Sequence, residues 1–287
     1  MTSQGPDHTT PASTPRRPSW SDLGPRVGSA AVLITITVVA MVLGSYAFGA
    51  LVGAAFGGAY REWETMVLRR SLAWDSYVLV GLVALTALAF PFAGYLGSML
   101  VTAVAAVFVL AVCRQERWWR LAGVVFFSLV VIAAMAIRGS DTGGVQLAVF
   151  VATVIWSTDT AAFFTGRQVG GEKLAPQISP SKTWSGALGG LALGVVGGTI
   201  VWSFISAEPW WWGALLSLLL SVLGQLGDLT ESAIKRNFRI KDSGDIIPGH
   251  GGLMDRLDSL TLGVLFVCAV GLLHGGHGDV AAGFLNW

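Results

Sequence analysis

The sequence predicts an all-α fold, a polytopic membrane helical bundle of eight or nine membrane elements with its polar loops gathered on one side. Three observations predict it. Apolar residues make up 53% of the chain and charged residues only 12%, about half the charge that a soluble domain carries. Apolar runs of about 20 residues, the length that crosses a bilayer as a helix, recur from end to end. Between them Lys and Arg stand in short clusters, the pattern that retains loops on the cytoplasmic side.

Residues 1–26, rich in Ser, Thr and Pro and poor in large apolar side chains, predict a disordered N-terminal tail. The apolar stretch 27–59 is too long for a signal-peptide core and has no clear cleavage site, so it belongs to the mature structure. Further spans are expected at 76–93, 95–113, 120–137, 144–165, 185–206, 209–228 and 257–274. This divides the chain into N-terminal membrane helices over 27–140 and a region over 141–287 that carries the chemically interesting residues.

With the loop 235–256 placed in the cytoplasm, alternating crossings bring Arg61, Arg69, Arg70, Arg114, Arg117, Arg120, Arg167, Lys173, Lys182, Lys235, Arg236, Arg239, Lys241 and Arg256 to that side. Only Arg138 falls on the other. Arg16, Arg17 and Arg26 of the tail also prefer the cytoplasm, so 27–59 is better read as two short crossings or a re-entrant hairpin broken near Gly44. One tilted helix there would leave eight elements instead of nine.

Cys113 and Cys268 lie in separate apolar segments and predict no disulfide. A net charge of +1 with no continuous basic stripe gives no reason to expect nucleic acid as a partner. Gly186, Gly190, Gly194 and Gly198 recur every fourth residue, leaving one helix face bare for close contact, either inside the bundle or between subunits.

The polar chemistry concentrates near the C-terminal end. If the helix over 209–228 continues through "GDLTESAIKR", then Asp228, Glu231, Ser232 and Lys235 share a face. A solvated helix end with an internal Glu231–Lys235 pair would account for Glu231. It explains less well an Asp228 at the edge of an apolar run, where ionisable residues usually face a polar cavity. "DRLDSL" opens the last apolar run with Asp255 and Asp258 on one face, a position the helix dipole favours for carboxylates. Two helix ends offering carboxylates could meet and hold a hard cation with oxygen ligands. Zinc fits poorly, since the region has no Cys and only His250 offers nitrogen.

The intervening loop contributes Arg236, Lys241, Asp242, Pro248, His250, Gly251 and Gly252, followed by Arg256. Glycines beside a helix start admit an anion to backbone N–H groups, while Lys and Arg neutralise it, which points to phosphate. A second loop, 166–186, places Ser179, Ser181, Lys182 and Thr183 before the glycine-faced helix. It has no Walker pattern, which excludes a P-loop ATPase. It reads either as a second phosphate-binding helix start or as Ser-Pro turn chemistry with a positive-inside lysine. Asp159, inside the preceding span, needs a partner or a cation at that depth.

Ser232, Lys235, Arg236, Lys241, Asp242, Gly244, Pro248, His250, Gly251, Gly252, Asp255, Arg256 and Asp258 resemble the signature of the phosphatidate cytidylyltransferases, also called CDP-diacylglycerol synthases. "DTAAFFTGRQVGGEKLAPQISPSKTWSGALGG" and "GQLGDLTES" are similar to that family as well, so the resemblance covers roughly 155–275. It implies a membrane-embedded homodimer of phospholipid biosynthesis with cytoplasmic catalytic loops, converting CTP and phosphatidate to CDP-diacylglycerol and pyrophosphate. It also implies Mg²⁺, with K⁺ as the candidate second cation, at Asp228 and Asp255, with Ser232 beside them. Lys235 and Asp258 complete the expected catalytic group. Ser179, Ser181, Lys182, Arg236, Lys241, Asp242, His250 and Arg256 are expected to bind substrate phosphates.

Two other classes meet the composition less well. A transporter would spread its charges over several midplane positions, and a CDP-alcohol phosphotransferase would carry a DG…AR…G…D…D run that is absent from this sequence.

Overall fold

The computed structural model describes residues 23–139, 142–244, 251–275 and 279–287. Among these the chain forms nine helices and one two-stranded sheet. Helix α1 (Leu23–Leu43) starts inside the stretch expected to be tail, and residues 1–22 lie outside the described ones. Gly44 separates α1 from α2 (Ser45–Leu68) with φ at 101°, in the region open to glycine. The apolar stretch is therefore two helices broken where the sequence placed the break.

Helix α3 (Trp74–Val112) runs for 39 residues, about twice what a bilayer needs. It is not one rod. Ala93 and Gly94 leave helical geometry just after Pro91, and the Ser98 hydroxyl donates to the Thr86 carbonyl at 2.8 Å. The rings of Trp74 and Phe108 approach to 5.9 Å. At a rise of about 1.5 Å per residue these contacts require the two arms to fold back on each other. The arms match the expected spans 76–93 and 95–113.

Then follow α4 (Arg117–Arg138), α5 (Thr142–Gln168), strands β1 (Lys173–Ala175) and β2 (Ser179–Thr183), α6 (Trp184–Ile205), α7 (Trp210–Asn237), α8 (Met254–Gly275) and the short α9 (Val280–Leu285). Six helices, α3 to α8, are long and apolar enough to cross a membrane. Helix α2 falls short of that criterion because Arg61, Glu62 and Glu64 interrupt its second half. The all-α class holds, with the short β1–β2 hairpin as an addition in the loop after α5: Gly170 and Gly171, both at positive φ, turn the chain off α5 before β1 begins.

Helices α2, α3 and α4 pack as one group, and α5 to α8 each pack on the next. The contact of α4 with α8 joins the two groups, while Phe284 of α9 closes the far end between Phe150 and Trp202. Arg138 sits at that far end too. Its guanidinium donates to the Met41 carbonyl at 2.6 and 2.9 Å, so the single basic residue left over by the alternation caps the carbonyl end of α1.

The glycine face of α6 is used inside the chain. Gly190 lies against Thr158 and Ala162 of α5, and Gly194 and Gly198 lie between α5 and Ser221 and Ser217 of α7. A Cβ on Gly190 would stand 2.7 Å from the Thr158 carbonyl oxygen. Gly190→Val should therefore destabilise the protein by about 1–3 kcal/mol through overpacking, read as a lower unfolding temperature in detergent. Parent-like unfolding would show that this helix pair is loosely packed.

Candidate active site

The site forms where α7 leaves the apolar bundle and α8 enters it. Helix α7 does continue unbroken to Asn237, which places Asp228, Glu231, Ser232 and Lys235 along one face. Lys235 Nζ lies 2.5 Å from Asp255 Oδ1 of α8 and 3.0 Å from Glu231 Oε1, so the loop between the two helices returns to the same point. The other oxygen of Asp255 accepts from the backbone N–H groups of Ser243 and Gly252, at 3.1 and 3.2 Å.

A second lysine–carboxylate pair stands beside the first. Lys182 of β2 forms an ion pair with Asp228 Oδ2, and Ser232 Oγ reaches Asp228 Oδ1 at 3.5 Å. Asp258 lies within electrostatic reach of Asp228, Asp159 and Lys235. Asp159 accepts a 2.9 Å hydrogen bond from Ser259 of α8, which supplies the partner a carboxylate in α5 requires. Five carboxylates from three helices and two lysines thus meet at one end of an apolar bundle.

The other expected site residues divide. Ser179 and Ser181 alternate along β2 onto the strand face opposite Lys182. Thr183 caps α6 by accepting from the Gly186 N–H at 3.1 Å, so its hydroxyl serves the helix start. Arg236 donates to the carbonyls of Ile178 and Ile240, tying the β hairpin to the end of α7. Lys241, Asp242 and Arg256 are exposed around the site. His250 and Pro248 lie outside the described residues.

One participant was not legible in the sequence. Glu62 of α2 is 2% exposed. It accepts from the Ser243 hydroxyl at 2.9 Å and from the N–H groups of Leu253 and Met254 at 2.9 and 2.8 Å. The glycine-rich loop before α8 does enclose an anion, as its composition suggests, and in this structure the anion is the protein's own carboxylate. Nothing in "AYREWETMVL" separates Glu62 from a solvated helix end, because its partners lie far along the chain.

Metal chemistry meets a mixed arrangement here. Among the described residues of the site the candidate side-chain donors are oxygens, which suits a hard divalent cation. Among the described residues no three acidic, His or Cys side chains are already gathered around one point. Two carboxylates are nevertheless enough for a cation that completes its shell with water and substrate phosphates, the usual habit of Mg²⁺.

The described chain is thus a bundle with six helices long and apolar enough to cross a membrane and a cluster of charged side chains at one end. The family model described as "Cytidylyltransferase family" matches residues 25–274. The chain is 38% identical over 253 residues to the phosphatidate cytidylyltransferase of Brucella suis biovar 1 and equally to that of Brucella melitensis biotype 1, covering 84% of this chain and 90% of each relative. With the phosphatidate cytidylyltransferase of Bacillus subtilis it shares 48% identity over 124 residues, 43% of this chain and 46% of that one. The chain belongs to the cytidylyltransferase family. The match extends through the N-terminal helices, well beyond the 155–275 stretch that carried the resemblance.

Proposed function

We propose that this chain is a phosphatidate cytidylyltransferase: it joins the cytidylyl group of CTP to phosphatidate, giving CDP-diacylglycerol and pyrophosphate. The observation that carries the proposal is the pair of lysine–carboxylate couples, Lys182 with Asp228 and Lys235 with Asp255, set where the apolar bundle ends.

A phosphate oxygen of phosphatidate attacks the α-phosphorus of CTP. One P–O bond forms, the bond to the oxygen bridging the α- and β-phosphates breaks, and pyrophosphate leaves with that oxygen. The attacking oxygen is already anionic near neutral pH, so no general base is needed. The obstacle is the repulsion between two anions. Lys182 and Lys235, which face carboxylates in this structure, can turn to the triphosphate and lower that repulsion by charge-assisted hydrogen bonds. Asp228 and Asp255, with Ser232 beside them, would hold Mg²⁺, and K⁺ is the candidate for a second position. A bound divalent cation supplies charge neutralisation and alignment of the phosphates. Arg236, Lys241 and Arg256 rim the site and suit the outer phosphates, with Asp242 and His250 as further contacts from the loop between α7 and α8, while Ser179 and Ser181 lie on the strand face away from Lys182.

The deciding assay incubates the purified protein with CTP, Mg²⁺ and phosphatidate and measures pyrophosphate. Release that requires all three supports the proposal. Folded protein that releases none removes it.

We also infer that the enzyme sits in the cell membrane with both loops in the cytoplasm, because the basic residues collect at the end that holds the site. Gln168 and Asp242 are exposed there, while Cys113 and Cys268 are buried. Cysteines placed at Gln168 and Asp242 should resist an impermeant thiol reagent in intact cells and react after lysis. Labelling of both in intact cells would reverse the orientation. For the homodimer implied by the resemblance, a face other than the α6 glycines has to serve, since α5 and α7 already cover them.

A further inference from the structure

The geometry points to Glu62 as a positioning residue for the cytidylyl transfer: a carboxylate of the N-terminal half that fixes the loop before α8 and, through it, the orientation of Asp255. This rests on the cytidylyltransferase reading of the site.

Three observations carry it. First, Glu62 and Asp255 share the described residues that flank 245–250, Ser243 on one side and 252–254 on the other. Ser243 gives its hydroxyl to Glu62 Oε2 at 2.9 Å and its backbone N–H to Asp255 Oδ2 at 3.1 Å. Gly252 donates to Asp255, and the next two N–H groups, of Leu253 and Met254, donate to Glu62. The first N–H groups of a helix have no partner within it, and here Glu62 takes those of Leu253 and Met254 while Asp255 takes that of Gly252 just before them. Moving Glu62 away releases Ser243, and with it one of the two N–H groups that hold Asp255 Oδ2.

Second, the loop is built around Glu62. A Cβ on Gly244 would stand 2.6 Å from Glu62 Oε1, and one on Gly252 would stand 2.8 Å from Glu62 Oε2 and 2.9 Å from Asp255 Oδ2. The absence of side chains at these two positions is what lets the backbone reach both carboxylates.

Third, fixing Oδ2 defines what Oδ1 can do. With Oδ2 held by two N–H groups, Asp255 presents Oδ1 to Lys235, on the side where Glu231 and Asp258 also lie. Groups that orient a ligand from behind usually matter about as much as a weak ligand does, with losses on the order of 10–100-fold in metal affinity or activity.

The test uses the full-length protein in lipid nanodiscs and compares Glu62→Ala and Glu62→Gln with the parent. It measures turnover of CTP with phosphatidate over a range of Mg²⁺ concentrations, and hydrogen exchange of the amides over 243–256. Glu62→Ala should lose about tenfold in turnover and need about tenfold more Mg²⁺ for half-maximal rate, with faster exchange at Leu253 and Met254. Glu62→Gln should fall between, because its amide nitrogen cannot accept from an N–H group and only one oxygen remains to do so. Should Glu62→Ala fail to fold, Glu62→Gln decides alone, being nearly the same shape. Parent-like exchange, or turnover lost with an unchanged Mg²⁺ requirement, would overturn the positioning role. If the parent itself releases no pyrophosphate, the functional reading fails, and the exchange data still decide whether Glu62 holds the loop.

Discussion

Asp228→Asn and Asp255→Asn should each lower cytidylyl transfer by about 100-fold or more, the usual cost of removing one preorganised electrostatic element, while the protein stays folded in detergent. Asparagine keeps the shape of aspartate and one acceptor oxygen. In Asp255→Asn that oxygen can still receive the Ser243 and Gly252 N–H groups, so the loop keeps its anchor while the charge and the pairing with Lys235 are lost. In Asp228→Asn the pairing with Lys182 is lost, which frees the lysine for substrate but removes a cation ligand. Incorporation of radiolabelled CTP into lipid measures the outcome, with size-exclusion chromatography as the check on folding. If either variant kept more than about a tenth of parent activity, its carboxylate would not be serving a cation during the reaction.

How far the sequence revealed this site depended on distance along the chain. The face formed by Asp228, Glu231, Ser232 and Lys235 was legible, because helical periodicity places residues three and four apart together, and α7 follows that pattern to Asn237. The breaks at Gly44 and at Gly94 were legible for a similar local reason: a glycine interrupts each long apolar run, and both have positive φ.

Lys182 was legible as a candidate phosphate-binding residue before the glycine-faced helix, or as a positive-inside lysine, and not as a partner of Asp228. Its pairing with Asp228 depends on the β1–β2 hairpin, which was missed because the turn rests on glycine geometry and irregular pairing instead of an alternating apolar pattern. Glu62 was illegible outright, since its Ser243, Leu253 and Met254 partners come from the other half of the chain. The glycines of that loop carried a correct message, that an anion approaches the backbone, without saying whose anion it is. The N-terminal half looked like mere apolar scaffold for the same reason, although the family match runs through it.

Arg120→Met should destabilise the protein by about 3–5 kcal/mol, because it strips the buried Glu64–Arg120–Asp75 network of its cation. Arg120 is 1% exposed and lies between Glu64 of α2 and Asp75 of α3, at 2.9 and 2.7 Å. It also donates to Ser76 Oγ at 3.3 Å, and the Tyr60 hydroxyl donates to Glu64 at 2.8 Å. Without the guanidinium, Glu64, fully buried, would keep a charge or take up a proton, and either is costly. Combining Arg120→Met with Glu64→Gln and Asp75→Asn should restore a large part of the loss, since replacing a whole buried network costs less than breaking it. Thermal unfolding in detergent reads both steps. Activity should follow for a geometric reason. Glu62 and Glu64 are two residues apart on α2 and face different neighbours, one the start of α8 and the other Arg120 of α4, which in turn pairs with Asp75 of α3. The contact that sets Glu64 thereby sets the rotation of α2 that delivers Glu62 to the loop before α8. An Arg120→Met protein as stable and as active as the parent would mean that α2 is held in place by its apolar packing alone, through Phe56, Trp63 and Met66.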